Sequence, residues 1–132
     1  MIYTDEFTYK TSKKTLEIVD EYQESKQIKN SLVGFIHVEK EDEEKMEKVE
    51  TKLVKNLKWA AKKNNTNSIV MHSFAHLSSS KADPAIVVEL FDSAERRLIE
   101  VNYQVFQTPF GYFLDLDLKA PGVSQARIFK EF

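Results

Sequence analysis

The chain has 132 residues, 42% of them hydrophobic and 30% charged, a composition that fits one folded domain with its own core. It contains no cysteine, which excludes disulfides, thiolate catalysis and cysteine-ligated zinc. The formal net charge of -2 excludes an overall basic field. No apolar run reaches the roughly 20 residues of a membrane helix, and Met1-Ile2-Tyr3-Thr4-Asp5-Glu6 lacks a signal-peptide pattern, so a cytoplasmic protein is expected.

Residues 2–10 are rich in β-branched and aromatic types and predict a first strand. Residues 16–22 alternate less regularly and are read as a second strand on a hairpin. Ser31-Leu32-Val33-Gly34-Phe35-Ile36-His37-Val38 is a continuous apolar run of strand length, as in a strand covered on both faces. A helix is predicted over residues 41–63, with Met46, Val49, Leu53, Leu57 and Ala60 as its apolar stripe. The acids Glu41, Asp42, Glu43 and Glu44 at its start and Lys62 and Lys63 at its end complement the helix dipole. Its row Lys48, Lys52, Lys55, Lys58 and Lys62 can reach phosphates, but a solvated lysine face is the default reading.

Asn64-Asn65-Thr66-Asn67 stops that helix, and residues 68–74 predict another buried strand. A polar loop follows over residues 78–82. Asp83-Pro84 then starts a second helix, with aspartate as N-cap and proline at the first helical position. Its stripe is Val87, Leu90, Phe91, Ala94, Leu98 and Val101. Residues 103–108 and 113–118 predict strands joined by a turn at Pro109-Phe110-Gly111-Tyr112. The second alternates strictly, so it should have one wet face, which would hold Asp115 and Asp117. The order predicts an α/β (α+β) fold, a mixed β-sheet with two helices packed on it, as one domain over residues 1–132.

The histidines are His37, His72 and His76. His72 and His76 are four apart but fall on a strand and then a loop, and no His-Glu-x-x-His string exists, so no metal site is expected. His76 follows an apolar strand and precedes a serine-rich loop and a helix start, where α/β domains gather ligand groups. On spacing alone, a turn histidine satisfied by adjacent serines is the plainer reading. Ser78, Ser79 and Ser80 lack a nucleophile elbow and are expected to cap or to be solvated. In Pro109-Phe110-Gly111-Tyr112, proline fixes one dihedral, glycine permits a tight turn, and the aromatics can stack on a flat ligand or on the core.

Two of these segments, Phe74-Ala75-His76-Leu77-Ser78-Ser79 and Pro109-Phe110-Gly111-Tyr112, together resemble the N-terminal editing domain of archaeal threonyl-tRNA synthetase. Leu32-Val33-Gly34-Phe35-Ile36-His37-Val38-Glu39-Lys40 looks like that domain's apolar strand ending in Val-Glu-Lys, and Asp5 matches near the end of the first strand. The resemblance implies a D-aminoacyl-tRNA deacylase-like fold, usually homodimeric and without a cofactor. It implies hydrolysis of serine wrongly attached to threonine tRNA, a remedy for a synthetic pocket that excludes the smaller amino acid poorly. The implied partners are the aminoacyl-tRNA acceptor end and a threonyl-tRNA synthetase catalytic chain or domain. The implied catalytic residue is His76, orienting substrate or water while the RNA's own 2′-hydroxyl assists. The implied substrate-binding residues are Asp5, Phe35, Ile36, Phe74, Ala75, Ser78, Pro109, Phe110, Gly111 and Tyr112, acting largely through backbone groups.

The chain also departs from that pattern. Leu114 stands where the family carries a lysine after two aromatics, and Tyr3-Thr4-Asp5 replaces His-Ser-Asp. Lys119-Ala120-Pro121-Gly122-Val123-Ser124-Gln125-Ala126-Arg127 replaces a Lys-Gly-His-Pro string followed by a glutamate and an arginine. A leucine cannot donate to a reacting oxygen, and losing such a donor costs on the order of 10²-fold in rate. Two alternatives therefore stand beside the editing hydrolase: a catalytically degenerate homologue acting as a tRNA-binding or dimerisation module, and a deacylase of another aminoacyl-tRNA.

Overall fold

The computed structural model describes residues 1–20 and 23–132. In chain order it contains β1 (Ile2–Lys14), β2 (Ser25–Ile36), a 3-10 segment (Lys40–Lys45), α1 (Met46–Lys63), β3 (Ser68–Ser73), α2 (Pro84–Glu100), β4 (Gln104–Gln107), β5 (Tyr112–Lys119) and a 3-10 turn (Ser124–Ala126). The strands form a five-stranded sheet in the order β4-β3-β2-β1-β5. The β2, β3 and β4 strands are parallel, whereas β1 runs antiparallel to both β2 and β5. A mixed sheet with two helices is thus the architecture observed.

Both helices cover one face. The α1 stripe Val49, Leu53, Leu57 and Ala60 and the α2 stripe Val87, Leu90, Phe91, Ala94 and Leu98 pack with Leu32, Ile69 and Met71 of the sheet. Gly34 lets α1 come close, since a Cβ there would lie 3.0 Å from Leu57 Cδ2. At the start of α2 the Asp83 carboxylate accepts the Ala85 N–H at 2.9 Å, with Pro84 at the first helical position.

The other face is covered by the sheet itself. Phe7, Tyr9, Val33 and Val70 are buried there, and their cluster includes Phe35, Phe106, Leu114, Leu116 and Leu118 but no helix residue. Residues an even number apart on a strand normally share a face. Yet Tyr3 packs on the helix side and Phe7 on the other, and Leu32 packs on the helix side while Ile28 does not. Both strands therefore switch faces at one corner, where Asn30 takes a φ of 49°, a left-handed value that asparagine tolerates. Such a corner carries strands from one layer into a second, crossed layer. Two features require this roll. Lys26 Nζ of the outer arm lies 4.5 Å from the centre of the Phe106 ring on β4. The chain also passes from Gln107 to Tyr112 in five residues, at most about 18 Å, although Tyr112 pairs with Lys14 at the far end of β1, roughly 40 Å along an extended strand from Ile2. The outer halves of β1 and β2, with β5, fold back over the parallel strands. On β5, Phe113, Asp115, Asp117 and Lys119 form the expected wet face.

Two predicted elements differ. Residues 15–20 form a turn and not a strand, and residues 21–22 lie outside the described residues. The hairpin partner of β1 is the polar stretch Ser25-Lys26-Gln27-Ile28-Lys29-Asn30, the start of β2. An outer arm with one wet face needs few apolar residues, and only Ile28 is buried there, opposite Phe7. The helix predicted over residues 41–63 divides at Lys45 into a 3-10 segment and α1. In the first part the Asp42 carboxylate accepts the Glu39 N–H at 2.9 Å and the Glu43 carboxylate accepts the Asp83 N–H at 2.9 Å. Those acids hold loops together as well as suiting a helix start. Among the described residues no helix is long and apolar enough to cross a membrane.

The C-terminal tail returns to β1. The Met1 amine donates to the Ile128 carbonyl at 2.7 Å, and the Ile128 N–H donates to the Met1 carbonyl at 2.9 Å. The Asn64 side-chain amide donates to both Ala60 and Gln125 carbonyls at 3.0 Å, tying the tail to the end of α1.

Candidate functional site

The C-terminal ends of β2, β3 and β4 lie side by side, the edge at which open α/β sheets collect ligands. Three loops leave this edge, beginning at His37, Phe74 and Thr108. The loop after β3 is fastened along the chain after β2. The Phe74 N–H donates to the Ile36 carbonyl at 2.9 Å, and the Ala82 N–H donates to the Val38 carbonyl at 3.0 Å. The Ser78 hydroxyl donates to Glu39 Oε1 at 2.6 Å, and Ser80 Oγ accepts the Lys40 N–H at 3.0 Å. His37 clamps the middle. Its Nδ1 accepts the Leu77 N–H at 3.0 Å, and its Nε2 lies 2.6 Å from the Ser80 carbonyl oxygen. A carbonyl only accepts, so Nε2 is the donor here and Nδ1 the acceptor, which fixes the orientation of the ring. The Val38-Glu39-Lys40 string thus holds the loop, and Ser78 and Ser80 lace it down.

The strand ends and the held loop together present a row of rings. Phe35 and His72 meet edge-on at 5.3 Å between centroids, Phe35 and Phe74 at 5.5 Å, and Phe74 and His76 at 5.0 Å. His72, 7% exposed, sits 2.8 Å through Nδ1 from Thr108 Oγ1, which joins the β3 and β4 ends. Burial, and secondarily the neighbouring His76 charge, push the His72 pKa down to about 4, so this imidazole is neutral at neutral pH. His76 is exposed and ends the row. Among the described residues the Ala75 N–H has no intramolecular acceptor, which leaves a backbone donor at the same rim.

Beside the rings runs a groove of about 810 Å³. Phe35, Ile36, Phe74, Leu77 and Ser78 form one wall; Leu53, Asn56 and Leu57 of α1 and the tail from Arg127 to Phe132 form the others. Its size and mainly apolar lining suit an organic group of nucleoside size, with backbone and ring groups at one end.

The residues expected from sequence divide. Phe35, Ile36, Phe74 and Ser78 line the groove, with Ala75 and His76 at its rim. Pro109 is buried next to Thr108 at the same strand edge. Phe110 packs into the helix-side core. Gly111 has a φ of 86°, and its carbonyl accepts the Thr15 N–H at 2.7 Å. The Tyr112 hydroxyl donates to the Asp20 carbonyl, so Gly111 and Tyr112 pack on the 15–20 turn. Asp5 lies at the corner opposite Asn30. The Asn30 carbonyl accepts a bond from Thr66 just before β3, so this corner is at the other end of the parallel strands from His76. Leu114 packs in the cluster between the sheet layers. His37, Glu39, His72 and Thr108 were not among the expected site residues. His37 and Glu39 carried a signal, lying in the Val-Glu-Lys segment, whereas nothing in the sequence ties Thr108 to His72.

A family profile described as the archaea-specific editing domain of threonyl-tRNA synthetase matches residues 1–132. Among full-length relatives, the threonine–tRNA ligase of Methanosphaera stadtmanae is 37% identical over 124 residues, covering 92% of this chain and 20% of that protein. That of Thermococcus kodakarensis is 33% identical over 125 residues, and that of Pyrococcus horikoshii 30% over 125, again covering 92% of this chain and 20% of each relative. The chain spans about one fifth of the length of the curated relatives it matches.

Proposed function

The chain belongs to the archaea-specific editing-domain family of threonyl-tRNA synthetase, and on that premise we propose that it hydrolyses seryl-tRNA(Thr) at the C-terminal edge of its parallel strands. The observation that carries the reading is the ring row ending in exposed His76 at the rim of the groove. The terminal adenosine takes the groove beside Phe35 and Phe74. The aminoacyl group lies at the rim, where the Ala75 N–H is available to bind an oxygen of the ester. His76 orients water or substrate. Water adds to the ester carbonyl and the bond to the ribose oxygen breaks. The neighbouring ribose hydroxyl relays the proton to the leaving oxygen, giving serine and tRNA. This mechanism asks the protein mainly to position and to exclude, which suits loops held by His37, Glu39 and Ser78.

The same proposal includes action as one part of a threonyl-tRNA synthetase assembly, in the cytoplasm, with a homodimer as the working unit. Purified chain incubated with Ser-tRNA(Thr) and Thr-tRNA(Thr) tests it. Release of serine but not threonine above the buffer rate supports it, and no release of serine sinks it. Discharge of a different L- or D-aminoacyl-tRNA instead would reassign the substrate. One observation favours a second reading, a module that binds tRNA or dimerises without chemistry: Leu114 lies in an apolar cluster, where it supplies no donor. Leu114→Lys tests it: a gain in binding or hydrolysis supports a decayed editing site, and no gain in either weighs against one.

A further inference from the structure

The exposed face of α1 is built differently from an ordinary solvated face. Lys48, Lys52, Lys55, Trp59 and Lys62 follow one another at intervals of four and three residues, which lines them up on one side of the helix. That side is opposite the buried stripe Val49, Leu53, Leu57 and Ala60, and it runs for about 21 Å. From Thr51 to Lys63 the helix contains no acid. Among the described residues none of the four lysines has a carboxylate partner; the ion pairs found are Lys14–Glu17, Lys40–Glu43 and Arg97–Glu50. Like charges four apart destabilise a helix, so Lys48 beside Lys52 and Lys58 beside Lys62 are unfavourable in the free protein. On a chain of net charge -2 this is a concentrated local patch.

Trp59, 45% exposed, stands between Lys55 and Lys62 in the row, with the Lys63 and Lys130 ammonium groups 4.9 and 5.1 Å from its ring centre. Lys52 reaches to 6.0 Å from the Phe132 ring. Lys130 and Phe132 also line the groove, so the basic row and the groove share the tail as a common border.

We infer that this face of α1 seats the sugar–phosphate backbone of the RNA that carries the aminoacyl ester, an inference that rests on the function proposed above. Its phosphates lie along Lys48, Lys52, Lys55 and Lys62, and Trp59 packs against a ribose or an unstacked base. The groove then receives the 3′ end while α1 holds the strand leading to it. The contact is to the backbone, so it adds affinity and orientation and no sequence preference.

The test is binding of an uncharged RNA duplex with a single-stranded 3′-CCA end to the 132-residue chain, measured across salt concentrations. Lys52→Ala, Lys55→Ala and Lys62→Ala are combined in one variant. Alanine is the best helix former, so the helix should persist, and circular dichroism checks that it does. The expected result is a salt slope of log K reduced by about 2–3, at roughly 0.7–0.9 for each phosphate no longer neutralised, with affinity down at least about tenfold at low salt. A Lys10→Ala, Lys29→Ala control on the outer arm should bind like the wild type. No RNA binding by the wild-type chain, an unchanged slope in the triple variant, or tighter binding of an acidic polypeptide than of RNA to the same lysines overturns the inference. The probe is not a substrate, so the two proposals separate. Hydrolysis of Ser-tRNA(Thr) with lysine-independent binding overturns only this inference. Lysine-dependent binding without hydrolysis overturns only the proposed function.

Discussion

Replacing His72 by phenylalanine together with Thr108→Val should remove a measurable part of the acid sensitivity of the fold. The substitution keeps an aromatic ring against Phe35 and Phe74 and removes the buried polar pair as a unit, so no partner is left unsatisfied. In the unfolded chain the imidazole takes up its proton near pH 6.5. In the folded chain burial delays protonation to about pH 4. The folded pKa is depressed, so this contribution to stability is fully present above the unfolded value and is lost as pH falls toward the folded one. The difference of about 2.5 units makes the loss about 2–3 kcal/mol between pH 7 and about pH 4.5. Urea denaturation of both proteins at several pH values reads it. Carboxylates contribute to both curves alike, so the difference between them isolates His72. Wild type should lose about 2–3 kcal/mol more than the double variant over that range. Parallel curves would refute the reasoning and mean that the imidazole is charged, or exposed, in the folded protein.

Gly111→Ala places a Cβ 2.9 Å from Val19 Cγ1 at a φ of 86°, and should cost at least about 1–2 kcal/mol by chemical denaturation; a cost below about 0.5 kcal/mol would mean that the 15–20 turn yields freely. Ser78→Ala removes the bond to Glu39 and the acceptor of the Ser80 N–H. Amide exchange at Ser80 should quicken about tenfold while global stability falls by no more than about 1 kcal/mol, and unchanged exchange would show that the loop is held without the Ser78 bonds. Asp83→Ala should cost about 1 kcal/mol through loss of the α2 cap, read as a shift in the urea midpoint at constant slope.

Elements with a strong local signature were legible. The α2 start follows from Asp83-Pro84, both helical stripes from their spacing, and the wet face of β5 from strict alternation. The start of β2 was not legible. Ser25-Lys26-Gln27-Ile28-Lys29-Asn30 has the composition of a loop and becomes a strand because β1 supplies its hydrogen bonds and Phe7 meets its one buried apolar residue. The break at Lys45 was hidden as well, because acids that suit a helix start also accept loop N–H groups.

The candidate site divides along the same line. Phe74, Ala75 and His76 were legible because they are consecutive on one loop, and their order is fixed covalently. Their union with Phe35, His37 and Glu39 depends on parallel pairing of β2 with β3, which aligns two strand ends far apart in sequence. The bond between His72 and Thr108 needs β4 as well. Asp5 and Tyr112, placed with the site by resemblance, lie at the corner and on the outer turn because the sheet rolls. Sequence by itself determined which short segments could be helix, strand or turn, since those preferences arise from near neighbours. Tertiary structure alone decided which face each residue of β1 and β2 meets, because both strands change layer at the corner beside Asn30, and local periodicity contains no record of that corner.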